Sequence, residues 1–482
     1  CLIPLFLTIQ NSSRLWAVIY GVFFGVIQTM LCNYWLGTFS LISLQFITVY
    51  YCILYIVFMT ALVTLIRNLG MLSALAIPAA WTAFDFLRSL GFMGYPWAML
   101  GVSQYQFTSF IQMSSITGIW GISFFAYAVN AVISRLLLSK PGKQRGAVLR
   151  LAGIVIGSVF IISLAGQGYL FFHPAVREEA DTAVKVALVQ QNTDPRKDDY
   201  EEGLAVLQRL TDQAMPYRPD LIAWSETAFV PNIRRWSKED PETNYYAELV
   251  DRFLRYQRSL DTWLITGNDD YFLLTDENGE EIRHDYNASI LFSPEGKRVT
   301  TYHKIHLVPF TEYFPFKEQL PWMYDLLVNF DVNLWTPGEV PTVFHHPLFS
   351  FSTPICFEDS FPRDVRRFVR TGADVIINLS NDFWSLTNVE AKQHYVNALF
   401  RSIENRRTFL RATASGVTAH IDPQGRTLQS LPYYKEGYLL AEFTVAEPQQ
   451  SFYTFAGDWF PYLCIAVVVV IILYRFLVRR EA

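Results

Sequence analysis

Of the 44 acidic residues in this 482-residue chain, one, Asp85, lies within the first 150 positions; the other 43 follow. A soluble domain of that size would need acids on its surface, whereas each charge at the centre of a bilayer costs about 2.5–3.5 kcal/mol or more. The chain is therefore expected to divide into a membrane part and a water-exposed part. A hydrophobic fraction of 51% and a mean hydropathy of +0.19 fit that division. They are too apolar for a wholly soluble chain and too polar for one buried in lipid throughout.

Crossing a bilayer takes about 20 apolar residues in helix. Uncharged runs of suitable length occur at 15–39, 40–66, 116–134 and 151–172, with a slightly polar one at 69–88 and a last one at 459–474, continued by FLV beyond Arg475. The stretch 91–115 (GFMGYPWAMLGVSQYQFTSFIQMSS) is uncharged but rich in Gly, Pro and polar residues, and reads as an interfacial or re-entrant connection. The opening CLIPLFLTI lacks the basic region and cleavage site of a signal peptide, and reads as the tail of a span whose beginning is missing. Lys140, Lys143, Arg145 and Arg150 lie between two spans, and Arg475, Arg479 and Arg480 follow the last one, so both segments are expected on the cytoplasmic side. Three parts follow: a membrane domain at 1–172, an extracytoplasmic domain at 173–458, and a transmembrane helix with a cytoplasmic tail at 459–482. Residues 173–460 hold 42 acids against 28 bases, which argues against nucleic acid as a partner.

Cys1, Cys32, Cys52 and Cys464 sit in apolar segments and read as small hydrophobes. Cys356 is the lone cysteine of the water-exposed part, where a compartment permissive for disulfides would normally supply a partner. An isolated thiol of this kind is either an inert buried group or a nucleophile.

The water-exposed part alternates strand signals (184–190, 221–226, 263–269, 288–293, 298–304, 349–356, 375–382) with helical patterns (200–214, 244–259, 362–370, 388–409), the mark of an α/β domain. Three of those strands end on Glu226, Lys304 and Cys356. Strand ends of one sheet layer can converge on one pocket. Their chemistry is coherent: Glu226 as general base for the Cys356 thiol, Lys304 stabilising thiolate and oxyanion, and a thioester resolved by a second nucleophile. His303, adjacent to Lys304, would point to the opposite face.

These residues resemble the Glu-Lys-Cys triad of the nitrilase (carbon–nitrogen hydrolase) superfamily in order and context, which implies an αββα sandwich over roughly 183–445. More narrowly, HKIHLVPFTEYFPF (303–316), PICFEDSFP (354–362), NLSNDFW (378–384), NRRTFLRATASGVTAHIDPQG (405–425) and the membrane stretch 83–105 are similar to the bacterial apolipoprotein N-acyltransferase family. The resemblance implies a multi-span α-helical protein of the bacterial inner membrane, of eight spans in that family, with its catalytic domain periplasmic. It implies a phospholipid acyl donor, a Cys thioester, and transfer to the α-amino group of a diacylglyceryl apolipoprotein, the last step of lipoprotein maturation. Glu312 and Glu358 match two further functional acids that would orient Lys304 or position the thiol. The sequence departs from the family at Phe357, where tyrosine is usual, at Ser225, where proline is usual, and at Phe383-Trp384-Ser385. A loop tryptophan has no counterpart in 191–203, where Tyr200 is the nearest aromatic. These departures bear on lipid preference more than on chemistry.

Asp85 and Arg88 are expected to pair or to snorkel, and Trp81, Trp97 and Trp120 to anchor at the membrane interface. The eight histidines are scattered, with no metal-ligand spacing, and no glycine-rich phosphate loop occurs, so neither metal nor other cofactor is expected. Two alternatives stay open: a membrane-tethered amidase in which water resolves the thioester, and a catalytically dead transporter or lipoprotein-binding module on an inherited fold. The match at 83–105 disfavours the first and the complete triad the second.

Overall fold

A computed structural model describes residues 2–174, 183–193, 199–275, 279–329, 334–445 and 450–481; Cys1 and part of the 191–203 loop lie outside the described residues. The chain forms two compact units: Cys1–Pro174 with Ile403–Asn405 and Gln450–Ala482, and Ala175–Ser402 with Arg406–Gln449.

In the first unit, among the described residues, six helices are long and apolar enough to cross a bilayer: Arg14–Cys32, Leu41–Ile66, Gly70–Leu87, Ile119–Leu138, Lys143–Phe172 and Trp459–Leu477. Small residues bring the first two together: a Cβ on Gly21 would stand 2.6 Å from Ile56 Cα. Two expectations are corrected. The basic segment is no loop beyond 142, because Lys143, Arg145 and Arg150 lie in the first turns of a 30-residue helix. At about 1.5 Å per residue that helix exceeds a hydrocarbon core of about 30 Å, leaving its charged start room outside it. The tryptophans are not interfacial anchors either: Trp81, Trp97 and Trp120 are 1%, 3% and 1% exposed. Trp81 packs among Phe6, Phe24, Phe58 and Tyr127, and Trp120 Nε1 donates to Asp458 Oδ1 at 2.9 Å. Asp85 and Arg88 pair at 2.9 Å, fully buried, while the guanidinium also donates to the carbonyls of Tyr95 and Trp97. That ties the irregular 91–115 connection to the helix before it.

Among the described residues, the second unit holds twelve strands: β1 (Ala183–Gln190), β2 (Leu221–Ala223), β3 (Trp263–Thr275), β4 (Glu281–Phe292), β5 (Arg298–His303), β6 (Phe344–His346), β7 (Phe349–Ser352), β8 (Val375–Ser380), β9 (Thr408–Thr413), β10 (Ala419–Ile421), β11 (Thr427–Ser430) and β12 (Gly437–Thr444). They form two six-stranded sheets, ordered β12-β1-β2-β3-β4-β5 and β11-β10-β9-β8-β7-β6. Parallel neighbours require crossover connections. Helices Tyr200–Ala214 and Tyr245–Ser259 link β1 to β2 and β2 to β3; Pro362–Thr371 and Asn388–Asn405 link β7 to β8 and β8 to β9.

Strand parity sorts the side chains. Ile290 and Phe292 of β4 join Leu207, Leu249 and Phe253 of the covering helices in one core. Ser289, pointing the other way, meets Thr353 of the facing sheet at 2.5 Å. Each sheet thus has one face toward its helices and one toward the other sheet, the αββα arrangement.

Candidate active site

The three candidate residues come from two sheets, not one: Glu226 follows β2 and Lys304 follows β5 in the first, and Cys356 follows β7 in the second. Each strand also stops earlier than expected. The chain after β2 turns at Thr227, a β-branched residue at φ +47°, and the chain after β7 turns at Cys356 itself, at φ +49°. Both are rare left-handed conformations for such residues, and they hold functional groups clear of the sheet ladders. Close approach is built in as well, since a Cβ on Gly267 of β3 would stand 2.6 Å from Glu226 Cα.

Lys304 joins the acids. Its ammonium is fully buried, 3.3 Å from Glu226 Oε1 and 2.8 Å from Glu312 Oε1. Burial alone would lower its pKa, but the charges of Glu226 and then Glu312 outweigh burial and push it above the ordinary lysine value. Glu226 also accepts from Asn287 Nδ2 at 2.9 Å and from the Asn381 N–H at 3.1 Å. Glu312 accepts from the Val308 N–H at 2.8 Å through its second oxygen, and burial, opposed by Lys304, raises its pKa. The Cys356 thiol is pushed well up, first by burial and then by the charge of Glu226, with Lys304 opposing. The thiol therefore sits beside a row in which the Lys304 ammonium lies between the carboxyl groups of Glu226 and Glu312. His303 points away, its Nε2 3.1 Å from Asp270 Oδ2.

Glu358 does not touch Lys304. Its Oε1 accepts from Tyr302 Oη (2.7 Å) and the N–H groups of Ile305 and His306 (both 2.9 Å), and its Oε2 accepts from the Ile355 N–H (2.7 Å). It stitches the lysine loop to the cysteine turn. Glu358→Gln places an amide donor against these donors, each lost acceptor leaving buried groups unsatisfied at about 1–3 kcal/mol. The unfolding midpoint of the purified chain should fall by on the order of 5 °C; an unchanged melt would show that this stitch carries no weight.

Phe357 is 8% exposed and packs edge-on to Phe361 with ring centroids 4.9 Å apart. Asn287, Asn378, Asn381 and His394 were not singled out from sequence. Asn378 and Asn381 lay within the quoted NLSNDFW segment. Glu390 and His394 stand four apart on one helix face, a spacing the scattered-histidine reading passed over; with Asp382 their donor atoms lie within 4.8 Å of one another.

Comparison with known proteins adds identity to geometry. The carbon-nitrogen hydrolase family model matches residues 185–451, and that of the apolipoprotein N-acyltransferase N-terminal domain matches residues 1–132. Apolipoprotein N-acyltransferase 1 of Treponema denticola is 35% identical over 100% of this chain and 92% of its own length. The protein of the same name from Treponema pallidum is 33% identical over 98% and 89%. Among solved structures, an amidase of the nitrilase superfamily from Nesterenkonia aligns with 58% of this chain and 95% of its own, at 17% identity and TM-score 0.40.

Proposed function

This chain belongs to the apolipoprotein N-acyltransferase family, a membrane protein with a carbon–nitrogen hydrolase domain, and from that premise we propose how its own residues carry the reaction. Glu226 takes the proton of the Cys356 thiol, and the thiolate attacks an ester carbonyl of a phospholipid. Lys304 bears the charge that develops on the carbonyl oxygen, and Glu226 returns the proton to the departing lysophospholipid. The resulting Cys356 thioester is opened by the α-amino group of an S-diacylglyceryl-cysteine at a lipoprotein N-terminus, Glu226 accepting the ammonium proton and restoring it to the thiol. The observation that carries this reading is the fully buried Lys304 ammonium, 3.3 Å from Glu226 and 2.8 Å from Glu312, within electrostatic reach of Cys356. Glu312 is assigned to hold that ammonium and Glu358 to hold the turn that carries the thiol.

Both substrates are lipids, so a site flanked in sequence by spans suits them. We assign residues 173–458 to the extracytoplasmic face, because Lys140, Lys143, Arg145 and Arg150 at the start of one flanking span and Arg475, Arg479 and Arg480 at the far end of the other favour the cytoplasm. The test is a two-stage incubation. Labelled phospholipid should leave a hydroxylamine-sensitive acyl adduct on the chain, and a diacylated lipopeptide should then discharge it into an N-acylated product. Release of free fatty acid alone would replace the transferase by a hydrolase.

A further inference from the structure

A second buried charge cluster lies against the backbone of the nucleophile. His394, on the helix Asn388–Asn405, is 2% exposed. Its Nδ1 is 3.0 Å from Asp382 Oδ1; its Nε2 is 3.2 Å from the Cys356 carbonyl oxygen and 2.8 Å from Asp359 Oδ1. Ionised carboxylates and carbonyls only accept, so the geometry asks for hydrogen on both ring nitrogens, an imidazolium. Burial would lower the His394 pKa, but Asp359 and Asp382 outweigh burial and the opposing charge of Arg411, raising it to about 10. Arg411 of β9, fully buried, binds Asp359 and stands 3.4 Å from Asp382 Oδ2. Glu390 Oε1 is 3.7 Å from the imidazole, and burial and then Asp382 push that carboxyl up to about 8. With Glu390 neutral, two carboxylates face two cations and the cluster balances.

The cluster touches two parts of the site at once. Asp359 belongs to the turn Cys356–Ser360, and Asp382 follows Asn381, whose N–H holds Glu226. Cys356 itself sits at φ +49°, a conformation that persists only where its surroundings impose it. Two donors converge on its carbonyl, His394 Nε2 and Asn378 Nδ2, each at 3.2 Å. In a trans peptide the C=O and the following N–H point in opposite directions. Pinning that carbonyl to the core therefore fixes the orientation of the Phe357 N–H and of the thiol-bearing turn together.

We propose that His394 is a positioning residue for the nucleophile: by donating from both ring nitrogens, it clamps the Cys356 carbonyl and links the strained cysteine turn to the segment that holds Glu226. The clamp deepens the acyl-transfer reading and rests on it for its first assay.

The test uses the full chain in detergent, with His394→Gln, which keeps a donor and removes the charge, and His420→Gln as a second buried histidine outside the cluster. Adduct formation is followed in single turnover across phospholipid concentrations, beside the unfolding midpoint. A clamp predicts a fall of about 30- to 100-fold in the limiting rate, because small misplacements of a reacting group cost on the order of 100-fold. The half-saturating phospholipid concentration should stay within about twofold, and His420→Gln within about threefold of wild type. A His394→Gln chain that melts like wild type and acylates at the wild-type limiting rate overturns the proposal, as does an effect confined to phospholipid affinity. Should His394→Gln melt more than about 10 °C lower, Asn378→Ser decides, since it removes the other donor to the same carbonyl. A loss of about tenfold supports the clamp, and an unchanged rate overturns it. Wild type without any adduct would sink the acyl-transfer reading instead, and alkylation of Cys356 by iodoacetamide would then serve as the readout for the same variants.

Discussion

Cys356→Ala should abolish the acyl adduct, lowering transfer by about 10⁴-fold or more, because removing a covalent nucleophile leaves only binding and polarisation of the ester. The unfolding midpoint should stay close to that of wild type, since the change deletes a single sulfur atom. Labelled phospholipid and a gel measure the first quantity and a thermal melt the second. An alanine variant that still carries hydroxylamine-sensitive label would place the thioester elsewhere. Among the described cysteines, Cys32, Cys52 and Cys464 all belong to the membrane unit. The thiol's resting state adds a pH signature. Burial and the neighbouring Glu226 charge hold it neutral well above the ordinary cysteine range, so its alkylation by iodoacetamide should still be rising at about pH 9. A plateau below neutrality would mean a preformed thiolate, with no proton for Glu226 to take.

How far the sequence could carry these arguments depends on which physical signal each residue left in it. The confinement of acids to one side of residue 150, with Asp85 the exception, is written directly in composition, and six helices of spanning length follow among the described residues. Strand parity separated His303 from Lys304 because a period of two needs no tertiary knowledge. The signal failed where packing decides. Trp81 reads as an interfacial anchor until Phe6, Phe24, Phe58 and Tyr127 surround it. The helical pattern read over 388–409 ends at Asn405, where Arg406 takes φ +52° and the chain passes into β9. The supply of the site by two sheets was invisible for the same reason, since no local pattern says which strands pair. His394 left only a four-residue spacing from Glu390; its partners Asp359 and Asp382 lie on two other segments, and the Arg411 that pairs with both lies on a third.

Lys304→Met should produce the second large effect, and in two separable ways. Removing the ammonium leaves Glu226 and Glu312 facing each other without a cation, a buried imbalance worth about 3–5 kcal/mol, or a fall in unfolding midpoint on the order of 10 °C. The sign with pH follows from the raised lysine pKa. The stabilisation by Lys304 is complete below the ordinary lysine range and is lost only as pH climbs through the folded-state value, so wild type should show little of this term changing between about pH 6 and 9. In the methionine variant the deficit should instead shrink as acid neutralises Glu312, whose carboxyl pKa burial already pushes up. Adding Glu312→Gln removes one of the stranded charges and should recover about 1–3 kcal/mol of the loss. It cannot restore a cation where the oxyanion forms, so adduct formation should stay about 10²- to 10³-fold below wild type in both the single and the double variant. Stability rescued without activity assigns Lys304 a part in the chemistry beyond balancing Glu312. If activity returned with stability, the lysine would be a structural counter-ion, and the oxyanion would have to be held by backbone N–H groups alone.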